Sequence, residues 1–133
     1  MTLPETIFEV HDISGFPVVR TRPDAARPGY AAQWEIEMDA LVARGVPFVI
    51  VFDGPRPEET HEDRKRRGLW LKHNRQRLGA LCRALISVEP DPMQRTALDA
   101  RSAMAEKAFG IPSRVVASAT EAGDAARAAL SVP

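Results

Sequence analysis

Residues 46–52 read VPFVIVF. A run so continuously apolar, rich in valine, isoleucine and phenylalanine, has no polar face to offer water. It therefore predicts a strand covered on both sides, in the middle of a sheet flanked by helices. Immediately upstream, Tyr30 to Arg44 places Ala31, Trp34, Met38, Leu41 and Val42 at helical spacing, and Gly45 stands where a left-handed residue closes a helix. The intervening RPDAARPG breaks regular structure. Before it, Ile7 to Val10 and Phe16 to Arg20 are short β-forming runs around Ser14-Gly15, predicting a hairpin.

Downstream, residues 52–67 read FDGPRPEETHEDRKRR and lead into a long helical pattern from Thr60 to Cys82, with Leu71, Leu78 and Leu81 on one side. Gly68 and Gly79 each cost that helix about 1 kcal/mol relative to alanine, and Gly68 marks a kink or a close helix contact. Ala84 to Val88 reads as a second buried strand. Asp91 is placed to cap the next helix, and Pro92 fits its first position. That helix carries Met93, Ala97, Ala100, Met104 and Ala108 along one stripe and ends at Gly110 and Pro112. Val115 to Ala117 is a last strand. Ser118 with Glu121 forms a capping box for a final helix whose small-residue face is Ala122, Ala125, Ala129 and Leu130. The expected fold is α/β: a β-hairpin followed by alternating helices and strands, in one domain spanning residues 1–133, with a mixed sheet of about five strands and four helices.

Composition narrows the function. The chain has 18 basic and 18 acidic residues, so no general attraction to nucleic acid or anionic membrane is expected. Cys82 is the sole cysteine, which excludes an internal disulfide and a cysteine-based zinc site and suits a reducing cytoplasm. The opening MTLPETIFEV lacks the pattern of a secretion signal, and no apolar run approaches the ~20 residues that span a bilayer. A cytoplasmic protein without membrane insertion is expected.

The charged stretch admits two readings. Glu58, Glu59, Glu62 and Asp63 lie at the positive end of a helix, with Thr60 and Asp63 spaced as a capping pair, and Glu62 and Asp63 precede Arg66 and Arg67 by four residues. That is a self-paired, solvated helix start. Yet Glu58 to Arg77 holds four acids against seven bases, a local positive surface in a neutral chain, and Lys65, Lys72 and Arg75 fall on neighbouring helical positions. Such a face suits an acidic protein or a phosphorylated small ligand. One aromatic, Trp70, among the cations is not a stacking platform, so nucleic acid is disfavoured. Glu58-x-x-His61 appears once where a carboxylate-bridged metal site needs it twice, so no metal or cofactor is expected, and His11 and His73 read as surface or hairpin residues. Cys82, at a helix end before a core strand, reads as a buried structural thiol. The carboxyl ends of the strands carry Asp53, Glu89 and Ser118, where open α/β sheets bind ligands.

The element order, Trp34 in the first helix, LCRALISVE before the third, and the closing AFGIPSRVVASATEAGDAARAAL together resemble the SpoIIAA-like (STAS/SEC14-type) family over nearly the whole chain. The resemblance implies a non-enzymatic module that meets protein partners or small ligands. In anti-sigma-factor antagonists of this type a phosphorylated serine or threonine follows an aspartate after the middle strand. Here Gly54-Pro55-Arg56 follows Asp53, and Thr60 is the hydroxyl left for that role, seven residues on. The expectation is a regulatory or interaction module, in contact with a protein partner or with itself as a homodimer through Arg64, Arg67, Trp70, Lys72 and Arg75. The alternative is a small-metabolite binder or small enzyme using Asp53 and Glu89. A structural subunit of a larger assembly, with an exposed apolar patch near Trp34 or Trp70, is the third class.

Overall fold

VPFVIVF forms the centre of the sheet: β3 (Phe48–Phe52) has a neighbour on each side and its first four residues are buried. The structure, a computed structural model, describes residues 8–54 and 58–131. Among the described residues five strands lie in the order β1 (His11–Asp12), β2 (Val18–Thr21), β3, β4 (Cys82–Val88) and β5 (Ser113–Val116). β1 runs antiparallel to β2 and the remaining pairs are parallel, so the sheet is mixed.

Alternation along β3 feeds two cores. Phe48 and Ile50 join Trp34, Met38 and Leu41 of α1 (Ala31–Ala43), Trp70 of α2 (His61–His73) and Leu78 of α3 (Arg75–Leu81). Val49 and Val51 face the other way, onto Ala122, Ala125 and Ala126 of α5 (Ala119–Leu130). A shift in the β3–β4 register adds one residue to β4 between Cys82 and Ala84. Because side chains alternate along a strand, that extra residue lets Cys82 join the first core and Ala84 the second. α4 (Pro92–Phe109) connects β4 to β5. Among the described residues no helix is long and apolar enough to cross a membrane.

Several expected boundaries move, for identifiable reasons. The hairpin pairs His11–Asp12 with Thr21 and Arg20, not residues 7–10; of that run Ile7 lies outside the described residues. Val10 cannot extend the ladder on its N–H side because its N–H points at the Glu37 carboxylate, 3.1 Å away. The long helix predicted from Thr60 to Cys82 is two helices, which makes five α-helices among the described residues instead of the four expected. The break falls at Asn74 (φ −110°, ψ 17°), not at Gly68. Asn74 Nδ2 donates to the Trp70 carbonyl at 2.9 Å, the local competition for backbone groups by which asparagine ends helices. The caps are as predicted: Asp91 accepts from Met93 N–H at 2.9 Å, Ser118 accepts from Glu121 N–H at 3.2 Å, and Gly110 closes α4 at φ 73°.

Candidate functional site

β2 and β3 end side by side, delivering Thr21-Arg22 and Phe52-Asp53-Gly54 to one edge of the sheet. α1 and the N-terminal half of α2 stand over that edge and complete a cavity of about 150 Å³ with Tyr30, Trp34, Glu59 and Arg67 on its walls. The walls are held by paired polar groups. Thr60 caps α2: its hydroxyl accepts from Asp63 N–H at 3.1 Å and donates to the Asp63 carboxylate at 2.9 Å. Asp63 also accepts from the backbone N–H groups of Gly29 (2.8 Å) and Ala31 (3.2 Å), tying the start of α2 to the start of α1. Burial alone would raise the Asp63 pKa, but these backbone bonds and the Thr60 hydroxyl outweigh it and hold the group below the usual carboxylate range.

Glu59 is the second knot. Its carboxylate accepts from Tyr30 OH at 2.7 Å and, in fork geometry, from Arg67 Nε at 2.9 Å and Nη2 at 2.5 Å. Burial pushes the Glu59 carboxyl up, while the Arg67 and Tyr30 hydrogen bonds and the guanidinium charge bring it below its ordinary value. Tyr30 is driven the other way, upward, by burial and by its bond to Glu59. The Arg67 guanidinium lies 5.6 Å from the Trp34 ring centroid, and Trp34 meets Trp70 edge-on, with centroids 5.3 Å apart. Glu59 is thus ionised, Tyr30 protonated, and each is spent on the other. The arrangement is a wall of paired polar groups, with the exposed Asp53 carboxylate at its rim. Arg22 stands at the mouth with its side chain 48% exposed, 3.8 Å from Asp12.

No family model, curated protein or solved structure matches the chain.

The three strand-end residues expected to share a pocket do not meet. Asp53 is exposed on the rim of this cavity. Glu89 accepts from Asp91 N–H at 3.2 Å and lines a separate hollow with Gln94 and Arg101, on the α4 side of Phe52. Ser118 serves as the cap of α5. β3 separates the hollows, because successive parallel strands release their ends on either side of its terminal residue.

The basic helix is also rearranged. Trp70 is 6% exposed and its indole N–H donates to Asp39 at 2.9 Å, so it is a core residue and not the anchor of a contact face. Arg67 likewise turns inward. Arg64 approaches Glu59 at 3.6 Å, and Arg66 is engaged by Glu35. The outward stripe of α2 is Lys65, Leu69 and Lys72, with Leu69 46% exposed. Lys65, Lys72 and Arg75 enter no ion pair among the described residues. Among those residues no group of three His, Cys, Asp or Glu side chains is placed to hold a metal.

His11 is a correction as well. It is 1% exposed, with Nδ1 2.9 Å from the Glu37 carboxylate. The signal available in the sequence was Glu37 itself, a carboxylate lying between Trp34 and Met38 on the apolar stripe of α1. Nothing in the sequence announced the Tyr30–Glu59 pair, whose members are 29 residues apart. Cys82 is buried and its thiol is pushed up to about 12 by burial, a structural role.

Proposed function

We propose that the protein is a non-enzymatic regulatory module of STAS-like type that works by binding, and that the cavity between β2, β3, α1 and α2 receives its ligand. The hairpin followed by successive parallel strands supports the SpoIIAA-like kinship. The observation that carries the ligand reading is the cavity itself: about 150 Å³, with Tyr30, Trp34 and Phe52 among its lining residues and Arg22 at the mouth. That volume accommodates one aromatic ring. Arg67 is held in fork geometry by Glu59, whereas Arg22 meets Asp12 only at 3.8 Å and is half exposed, so Arg22 is the cation free to turn towards an acidic group on the ligand, and the fitting class is a small aromatic acid.

A series of simple aromatic carboxylates and phosphates, followed by protein-observed NMR, tests this. Resonances of Tyr30, Trp34 and Phe52 should shift, Ala26→Phe should block the effect by filling the cavity, and Arg22→Ala should weaken binding about tenfold. Absence of any response at those residues across the series refutes the reading.

A second reading follows from the outward face of α2: an acidic protein partner docks on Lys65, Leu69 and Lys72, with Arg75 alongside. Its support is the exposed leucine among cations that have no ion-pair partner among the described residues. Lys65→Glu with Lys72→Glu should abolish a salt-sensitive association while leaving cavity binding intact. An association indifferent to the double charge reversal removes this second reading.

A further inference from the structure

α4 is the least embedded helix of the fold. It has 18 residues and none is buried, while Met93 and Met104 are 83% and 74% exposed. Its ends are well made, with Asp91 and Pro92 at the start and left-handed Gly110 at the close. Helices in proteins draw most of their stability from packing an amphipathic face, and α4 offers its own sheet only a half-buried side that includes Leu98 and Phe109. Its apolar stripe, Met93–Ala97–Ala100–Met104–Ala108, points to the opposite side, into solvent.

The order of residues on that stripe indicates what covers it. About a two-fold axis beside Ala100, an antiparallel copy of the helix sets each Met93 over Ala108 of the second copy and each Met104 over Ala97. Long, flexible side chains then fill the space above short ones, and Ala100 meets Ala100 where the backbones come closest. A parallel pairing would stack methionine on methionine and alanine on alanine, leaving gaps between. Opposed helix dipoles also favour the antiparallel sense. The stripe is ~22 Å long at the helical rise, and burying its two methionines and three alanines together with the α4 side chains that flank them approaches the ~500 Å² per partner at the lower end of specific interfaces. We infer that the protein forms a two-fold homodimer whose seam is α4 packed antiparallel on α4 of a second copy. This rests on neither the cavity nor the basic face of α2.

Cys82 makes the test clean, because the sole cysteine is buried and its thiol is pushed up to about 12, so an introduced thiol reports alone. Under mild oxidation, full-length Ala100→Cys should convert to a disulfide-linked dimer. Ala97→Cys and Met104→Cys should each link poorly alone and efficiently when the two are mixed. Sedimentation equilibrium of the unmodified chain should give twice the 14.6 kDa mass, and Met104→Glu should raise the dimer dissociation constant about tenfold or more with an unchanged circular dichroism spectrum. Since Met104 is exposed in the single chain, the fold survives that change. A monomer at roughly 100 μM, a dimer that Met104→Glu leaves intact, or an Ala97→Cys variant that links to itself as readily as Ala100→Cys overturns the proposal.

Discussion

Glu37 accepts hydrogen bonds from the backbone N–H groups of Glu9, Val10 and His11, from His11 Nδ1–H and from Gln33 Nε2, and it is wholly inaccessible to water. Burial alone would raise its pKa, but the His11, backbone and Gln33 bonds outweigh burial and bring the carboxyl down from 4.5 to about 2. On acidification the unfolded chain takes up this proton first. The contribution to stability is therefore complete above pH ~4.5 and is lost progressively towards pH 2, about 3 kcal/mol in all. Urea titrations at pH 6 and pH 3 should show about 2 kcal/mol of that loss, and Glu37→Gln should flatten it while costing about 3 kcal/mol at neutral pH. Adjacent residues on α2 give a second comparison. Trp70→Ala should cost about 3–5 kcal/mol and Leu69→Ala less than ~0.5, because one fills the core and the other faces water. The sequence placed both on a helix but did not tell the inward residue from its neighbour. On a helix mostly charged around its circumference, the apolar stripe is too sparse to fix the phase.

Among the elements, helix ends were the most legible features, since a cap is a local transaction between a side chain and the nearest N–H groups. Asp91, Ser118 and Thr60 all accept from a backbone N–H within their own first turn. The break at Asn74 was missed because glycine carries the stronger intrinsic penalty, whereas the actual interruption comes from an asparagine side chain bonded to the Trp70 carbonyl. Gly68 has open space where a Cβ would stand. Gly68→Ala should therefore raise stability by about 0.5–1 kcal/mol in thermal unfolding; a loss would reveal the close helix contact that the sequence suggested. Gly110→Ala should do the reverse and cost about 1 kcal/mol, because φ 73° is strained for any residue with a Cβ.

At the scale of the whole molecule, α5 lies against the sheet through alanines that are 0–7% exposed. Ala126→Leu should overpack that second core and cost about 1–3 kcal/mol in urea unfolding. The sequence by itself determined the α/β class, a central strand within residues 46–52, the parallel crossovers and most helix caps, because these follow from periodicity and from bonds within a few residues. Only the tertiary structure decided the site. It divided Asp53 from Glu89, turned Trp70 and Arg67 inward, joined Tyr30 to Glu59 across 29 residues, and buried His11 on Glu37. The physical reason is the same in each case. Local pattern reveals which residues prefer to leave water, whereas the pairing of polar groups depends on which helix crosses which strand end, a relation between segments distant in the chain.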